Sequence, residues 1–528
     1  MSKLYSFVFN PFIMLGVAIT LISCEGALKG DLSSDVIAKY LPADAMMVVR
    51  LDGKRLAEKA THKTTLDQYR NFSKLAQEAD LEEISELLGI FQEENGLNLE
   101  GAIYTYCKMS RGSYRELEMQ VAIAVPLKDS EKLETLLRKL NSNFELKEED
   151  NLKVANTRFT SIGHNDKFFA IVGSQATGED NMAELKRLLS QPNEKKEASP
   201  RLIADPTFKT FIAERHDMAT WMSFDPLVRE YLNSKEGIKT KGFLALIGPG
   251  STPEDMEGSR IRSSTNFEKG YFSTQTEFLL SDAIRKELGD TWQNSKAFNY
   301  GKNIPNEDLL LLISLNLDLN KIDELIQKRN LLPLVSKALM EYELTYNQAL
   351  KSLGGGLVLG IYMGDNLDFP NVLLGLQLND NYLLEKMKTF LKASGVDIRD
   401  EQTLSYYTPP ASPYSMESEQ EPACISTYKD GTLWFGTGSM KSKIAQIANG
   451  SVNNPVKVEN LNKLESAMMS MYFDGSQIGD EKLMPELPLY TYIEKVVGYM
   501  EHEKIDYKAY VKDKSKNSLE VLMKTAME

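Results

Sequence analysis

Cysteine and histidine are both scarce in this chain, and their scarcity excludes several classes of protein. Three cysteines occur in 528 residues, and two of them, Cys107 and Cys424, lie in different halves of the sequence. A fold held by several disulfides is therefore excluded, and two half-buried thiols are favoured over a pairing between them. The four histidines stand singly: His62, His164, His216 and His502. Without paired spacing they indicate neither a zinc site nor a histidine-based catalytic triad.

Excess positive charge and catalytic motifs are also lacking. The chain carries 61 Lys and Arg against 75 Asp and Glu, a net charge of −14, and no basic cluster offsets it. An acidic surface repels phosphate backbones, so nucleic acid is not an expected partner. No serine lies in a Gly-x-Ser-x-Gly turn, and the strand pattern after Gly354-Gly355-Gly356 lacks the lysine of a phosphate-binding loop. The sequence therefore predicts no cofactor.

Long apolar runs are absent except near the N-terminus. Phe12–Ile22 is apolar, follows Lys3 and is too short for a membrane-spanning helix, which is typical of a signal peptide over residues 1–23. It leads into Leu-Ile-Ser-Cys at residues 21–24, the pattern of a bacterial lipobox. The alternative is an ordinary secretory signal followed by a chance cysteine. Because Cys24 stands where cleavage belongs, we predict lipidation of Cys24, membrane anchoring through its acyl chains and a tether over residues 24–35.

A recurring order of elements organises the rest of the chain. In Leu41–Ala60, the apolar strand Met46–Leu51 is closed by Asp52 and Gly53, and a helical pattern follows. The same order, an apolar strand, an aspartate and a helix, returns several times. Methionines recur on these strands and are predicted to fill the core: Met46, Met47, Met468, Met469 and Met471.

Four stretches of the second half match the first half in the same order, which favours a duplication. The longest match aligns Val121–Leu140 with Val372–Leu391 without a gap. Strands joined by hairpins and helices imply an α+β fold of two similar domains, each a mostly antiparallel sheet with helices packed on one face. The predicted organisation is a first repeat domain over residues 36–283, a linker over 284–306 and a second repeat domain over 307–528.

Four aspartates end strands just before helices: Asp52, Asp225, Asp318 and Asp474. They could form a carboxylate cluster for metal binding or acid–base chemistry, or they could cap the helices. Capping is favoured because short polar side chains are the usual solution at that position. Asn316–Asn320 alternates oxygen-bearing side chains but lacks the glycine and distant glutamate of a calcium loop. No catalytic and no metal-binding residue is therefore predicted.

A proline-rich stretch, Tyr406–Pro422, interrupts the repeat and has no counterpart in the first half. Its four prolines disfavour regular structure, and its glutamates favour solvent, so we predict an exposed loop. Such an insertion is either functional or disordered, and the sequence favours neither. As a possible interaction loop it offers five residues: Tyr406, Tyr407, Pro409, Pro410 and Tyr414.

The lipobox, the Pro42-Ala43-Asp44-Ala45 element before the first strand and the two-half layout together resemble a known family. It is an uncharacterised family of Bacteroidetes lipoproteins of about 500 residues, catalogued only as a domain of unknown function. The resemblance covers the whole mature chain. It implies an exported, lipid-anchored protein with a two-domain α+β structure, and it implies neither an activity nor catalytic residues.

Two functions follow from the sequence as hypotheses. The first is a non-enzymatic lipoprotein of the cell envelope, a binding or scaffold module held at the outer membrane through Cys24, with a protein or glycan ligand. The alternative is an envelope hydrolase with a non-standard site at the junction of the two domains. A junction with several perturbed carboxylates would favour the hydrolase, and an aromatic or apolar cleft would favour binding.

Overall fold

The structure is a computed structural model of the chain. It describes residues 35–59, 96–111, 117–140, 146–156, 160–174, 178–190, 201–226, 228–229, 256–288, 296–328, 330–364, 371–410, 423–477 and 492–527. The predicted signal peptide and Cys24 therefore lie outside the described residues. Contacts divide the chain into two compact units. The first comprises Met1–Ala245, Ser251–Ala283 and Asp513–Glu528, and the second comprises Leu246–Gly250 and Ile284–Lys512.

The described part of the first unit is built on a ten-stranded antiparallel sheet. Its strands are β1 (Met47–Asp52), β2 (Ala102–Arg111), β3 (Leu117–Pro126), β4 (Lys147–Glu149), β5 (Leu152–Asn156), β6 (Thr160–His164), β7 (Phe168–Ser174), β8 (Met218–Ser223), β9 (Arg260–Glu268) and β10 (Tyr271–Leu279). They pair in the order β10–β9–β8–β1–β2–β3–β7–β6–β5–β4. Consecutive strands are mostly neighbours, as hairpin connections require.

The second unit also has ten strands among its described residues. They are β11 (Leu309–Asn316), β12 (Leu353–Tyr362), β13 (Asn371–Leu378), β14 (Asp397–Glu401), β15 (Leu404–Thr408), β16 (Cys424–Lys429), β17 (Thr432–Thr437), β18 (Met469–Asp474), β19 (Ile493–Glu501) and β20 (Lys504–Val511). Their order is β20–β19–β18–β11–β12–β13–β17–β16–β15–β14, and every pairing is antiparallel.

Thirteen helices accompany the strands in the described residues. They are α1 (Gly53–Lys59), α2 (Ser130–Leu140), α3 (Gly178–Leu189), α4 (Pro206–Ala213), α5 (Phe224–Pro226), α6 (Asp282–Leu288), α7 (Leu319–Lys328), α8 (Leu332–Met340), α9 (Tyr346–Ser352), α10 (Tyr382–Ala393), α11 (Lys441–Asn449), α12 (Leu461–Ser466) and α13 (Ser518–Met527). Of these, none is long and apolar enough to cross a membrane. The fold class is α+β and mostly antiparallel sheet, as predicted.

The two units share one strand order, and the longest predicted match occupies the same place in both. Val121 pairs with Cys107, which pairs with Met47 on β1. In the second unit Val372 pairs with Ile361, which pairs with Leu311 on β11. The repeated order of elements in the sequence is therefore a repeated order of strands. A duplication as the origin of this order stays a prediction.

In the first unit, helices cover both faces of the sheet. Alternate residues of one strand point to opposite faces, and here both sets are buried, as in the run Ala122–Val125. One core contains leucines of α2 and α13 with Leu51, Ile103 and Ile123. The other contains residues of α3 and α4 with Val48, Tyr104 and Trp221. Helices were predicted on one face only. The second layer is not evident from the sequence, because the run Ala122–Val125 has the pattern of an ordinary apolar strand.

The C-terminal helix α13 belongs to the first unit, although the predicted second domain covered residues 307–528. Gly270 N donates to Lys516 O at 2.9 Å, and Asn517 Nδ2 donates to Phe267 O at 3.2 Å. Leu519 of α13 is buried in the same core as α2. This return of the chain involves contacts that are more than 200 residues apart, so no local pattern predicts it.

Candidate functional site

The two tyrosines of the predicted interaction loop lie in a strand. Tyr406 and Tyr407 belong to β15 and are 5% and 3% exposed. The hydroxyls of Tyr407 and Ser426 hydrogen bond at 2.8 Å. The placement of both tyrosines in an exposed loop was therefore wrong: the prolines that disfavour regular structure begin only at Pro409, after the strand has ended. Pro409 and Pro410 are exposed, and Tyr414 lies outside the described residues.

Because β15 ends at Thr408, a deletion in the loop after it and a substitution within the strand should have different effects on stability. Replacing residues 411–422 by a short Gly/Ser bridge should leave the melting temperature nearly unchanged, because halving a loop changes its closure entropy by only about 0.6 kcal/mol. Tyr407→Ala should lower the free energy of unfolding by about 3 to 5 kcal/mol, because it empties a buried aromatic site. Urea unfolding of both variants measures the contrast. A deletion as costly as the substitution would mean that the loop packs as core.

The four strand-ending aspartates do not form one site. Asp52, Asp318 and Asp474 each accept a backbone N–H two or three residues later, at 3.0 to 3.1 Å. Asp225 instead accepts from Gly258 N and from Arg260 Nη2, both at 2.7 Å, and it lies inside α5 rather than before it. The predicted cap is thus wrong for Asp225, because an ion pair across the chain takes its carboxylate. Within the described ranges, no three His, Cys, Asp or Glu side chains form a metal-binding group.

A buried carboxylate that sequence reasoning missed lies beside Asp52. Asp217 is 0% exposed, and it accepts from Arg55 Nε and Lys59 Nζ, both at 2.8 Å. It also accepts from Phe267 N at 2.6 Å. These contacts join α1 to β8 and β9, so we interpret the cluster as one that stabilises the fold. Its only sequence signal is the lysine and arginine on one face of α1.

A polar groove of about 370 Å³ lies in the first unit at the N-terminal end of α2. Its lining is mostly polar: Leu127, Lys128, Ser130, Glu148, Asn151, Lys153, His164, Asn165 and Asp166. Lys153 Nζ donates to Glu134 Oε1 at 2.6 Å, and His164 Nε2 lies 3.3 Å from the same oxygen without meeting hydrogen-bond geometry. The hydrogen bond from Lys153 lowers the pKa of Glu134, although burial alone would raise it. The groove offers donors and acceptors to a small polar molecule.

The lowered pKa of Glu134 predicts an acid-dependent loss of stability. Its contribution is fully present above the ordinary glutamate pKa of about 4.3 and is lost as the pH falls through the lower pKa of the folded state. We expect Glu134→Gln to cost about 1 kcal/mol at pH 7 and progressively less below pH 4. Urea unfolding across this pH range measures the difference. Glu131→Gln, an exposed position on the same helix, is the control; an equal pH dependence in both variants would contradict the assignment.

The second unit has one covered and one partly open sheet face. Val358, Leu373 and Trp434 point into a core covered by α11 and α12. On β11, β12, β13, β17 and β18, the described side chains that point to the opposite face are apolar except that of Thr437. Leu376 and Leu433 pack with Leu384 of α10. Twelve others, all apolar, are Leu311, Ile313, Leu315, Leu357, Leu359, Ile361, Val372, Leu374, Phe435, Met469, Met471 and Phe473. We call these twelve residues the open face. Ten of them are only half-buried.

Met469 and Met471 are the most exposed residues of the open face. They are 43% and 37% exposed, so the prediction that these two methionines fill a core was wrong. The period-2 pattern placed them correctly on one side of β18. It could not show whether anything packs there. In the first unit, Ile103 and Ile123 occupy the corresponding sheet face and are fully buried beneath α2.

Two helices of the second unit, α7 and α8, do not bury their own apolar side chains. Neither α7 nor α8 has a buried residue among those described. Leu334 and Met340 of α8 are 64% and 67% exposed. Large exposed apolar groups that lie together on a soluble protein mark binding surfaces. The second unit therefore carries more uncovered apolar surface than the first.

The comparisons with known proteins identify the family. A family model described as a domain of unknown function (DUF4836) matches residues 38–355, which is more than half of the chain. The chain belongs to this family. No curated protein matches it. Among solved structures, crystal form I of TP0453 matches at 8% sequence identity, covering 50% of this chain and 88% of that chain, with a TM-score of 0.24. A score this low does not indicate a shared fold.

The predicted membership of an uncharacterised family is thus confirmed, while the lipoprotein character stays a prediction. In this DUF4836 chain, the matched residues contain the whole polar groove and strand β11. They end at the start of β12, so β13, β17 and β18 of the open face lie beyond the match. The family description names no activity, and function has to be argued from the sites.

Proposed function

We propose that this protein is a lipid-anchored, non-enzymatic binding module of the cell envelope. The observation that carries the binding role is the open face. An antiparallel sheet with one face in solvent normally alternates apolar and polar residues, with the polar set outward. On β11, β12, β13, β17 and β18 of the second unit, every outward residue except Thr437 is apolar instead. A contiguous apolar surface that stays partly exposed is typical of a binding site.

The anchor supports the location. Cys24 ends a lipobox pattern, and the 11 residues from Cys24 to Ser34 precede the first described residue. A chain of that length spans at most about 36 to 40 Å. The first unit would therefore be held close to the membrane, with the outer membrane as the expected one. Two or three acyl chains on one cysteine give stable anchoring, because each buried CH₂ contributes about 0.8 kcal/mol.

Metabolic labelling tests the anchored part of this proposal. Cells that express the protein are grown with radioactive palmitate, and the full-length protein is then immunoprecipitated after detergent extraction. We expect label in the protein and removal of the segment before Cys24, seen as a mature mass that lacks residues 1–23. An unlabelled protein with a free N-terminus would overturn the anchored part of the proposal.

A further inference from the structure

We propose that His164 is a proton-dependent link between β6 and α2, beneath the polar groove of the first unit. This inference goes beyond the proposed binding function and does not depend on it. His164 is the last residue of β6 and is 5% exposed. Its Nδ1 lies 3.1 Å from Asn165 O, and its Nε2 lies 3.3 Å from Oε1 of Glu134 on α2. The buried ring thus meets an oxygen atom at each of its two nitrogens.

The protonated form of the ring suits both oxygens. A carbonyl oxygen and an ionised carboxylate oxygen accept hydrogen bonds and do not donate them. A neutral imidazole carries one N–H, so its other nitrogen presents a lone pair to one of these oxygens, whereas the imidazolium carries two N–H groups. The geometry at Nε2 falls short of a hydrogen bond, so a proton there adds an ion pair with Glu134.

Charged side chains surround His164 on the sheet face that it shares with α2. They are Glu134 and Arg138 of α2, Lys153 of β5, Glu148 of β4, and Lys128 and Asp166 of the adjoining loops. The neighbour on β7 is the apolar Phe169, and α3 packs on the opposite face of the sheet. Burial and the charge of Lys153 disfavour a proton on His164, whereas the carboxylate of Glu134, which contacts the ring, favours it. Glu148 and Asp166 offset part of the remaining positive charge.

Glu134 is an anion throughout the range in which histidine titrates. Burial would raise the pKa of this carboxyl group, but the hydrogen bond from Lys153 and the charge of His164 lower it. An ordinary histidine titrates near about pH 6.5. Acidification through that range therefore adds a cation beside a carboxylate that is already charged. The added pair holds α2, whose leucines fill the core, against β6, and it adds positive charge to the lining of the groove.

A double-mutant cycle tests this link. The full chain, His164→Gln, Glu134→Gln and the double variant are unfolded with urea at about pH 5.5 and about pH 8.5, on either side of the ordinary histidine value. At the lower pH we expect the two positions to be coupled by about 10-fold in the unfolding equilibrium constant, the scale of a contact between charged groups with little access to water. At the higher pH the coupling should fall below about 2-fold, because a neutral ring has no charge to pair with Glu134.

His216 and Glu214 provide a matched control on the same unit. His216 Nε2 lies 3.6 Å from Glu214 Oε2, but the two side chains are 24% and 45% exposed. Because water screens an exposed pair, the cycle through His216→Gln and Glu214→Gln should give a coupling below about 2-fold at both pH values. For His164 and Glu134, equal coupling at both pH values or no coupling at the lower pH would overturn the inference.

A second measurement does not need the double variant to fold. The four histidines of the chain are labelled with ¹³C at Cε1, and the NMR signal of His164 is assigned by its loss in His164→Gln. We expect Glu134→Gln to move the titration midpoint of this signal to lower pH, because the ring loses the carboxylate that favours its proton. A midpoint that stays in place would overturn the inference as well.

Discussion

Replacing Cys24 by alanine is expected to move the protein from the membrane fraction to the soluble fraction. The acyl chains predicted on Cys24 are the only anchor that the sequence suggests, and none of the described helices can span a bilayer. A diacylated cysteine buries many CH₂ groups at about 0.8 kcal/mol each, so its removal should change the distribution almost completely. Detergent-free fractionation followed by immunoblotting measures the shift.

The two other cysteines provide the control. Cys107 is buried in the sheet, and burial raises the pKa of its thiol to about 12, so it is a poor nucleophile. Cys424 is a half-buried residue of β16. Neither Cys107→Ala nor Cys424→Ala should release the protein. If Cys24→Ala stays membrane-bound through carbonate washing, the lipobox interpretation fails.

Replacing Asp217 by alanine should destabilise the first unit by about 3 to 5 kcal/mol, the usual cost of removing one partner of a buried ion pair. The carboxylate accepts from Arg55, Lys59 and the backbone N–H of Phe267 with no exposure to water. Its loss removes the buried carboxylate that Arg55 and Lys59 share and leaves the N–H of Phe267 without this acceptor, while Lys59 keeps only its exposed pair with Glu268. Urea unfolding measures the free energy, and hydrogen exchange should place the loss in α1, β8 and β9.

Glu268→Ala is the matched control for Asp217→Ala. Glu268 also pairs with Lys59, at 3.1 Å, but its side chain is 43% exposed. An exposed ion pair contributes only about 0 to 1 kcal/mol, because water screens and solvates both charges. Similar losses in the two variants would show that burial of Asp217 is not what gives its contacts their strength.

The cluster around Asp217 also distinguishes the two units. Asp52 N donates to Asp217 O at 3.0 Å, and in the second unit Asn316 N donates to Met468 O at 2.7 Å. The residue whose carbonyl accepts this hydrogen bond is an aspartate in the first unit and a methionine in the second. In the first unit, the aspartate at this position pairs with Arg55 and Lys59 of α1. In the second unit, the same position holds the apolar side chain of Met468.

Local patterns in the sequence predicted a large part of the fold. The alignment of Val121 with Val372 came from period-2 alternation followed by a capped helix, and both features depend on neighbours in the chain. Asp318 caps α7 through Asn320 N, and a cap needs only a short polar side chain two residues earlier. The same reasoning placed Tyr406 and Tyr407 in the proline-rich segment. That error arose because the end of a strand is set by its pairing partner, here β16, and not by its own residues.

The sequence by itself determined which classes of protein the composition excludes, the α+β class and the repeated order of strands. It also predicted the anchor at Cys24. Each depends on residue type or on spacing within about twenty positions. Only the tertiary structure decided that Asp217 is buried beside Arg55 and that Met471 is not buried at all. Burial is set by what packs against a residue, and these partners lie far away in the chain. The sequence pattern of an apolar strand is therefore the same in both units, although a helix covers its residues in the first unit and solvent reaches them in the second.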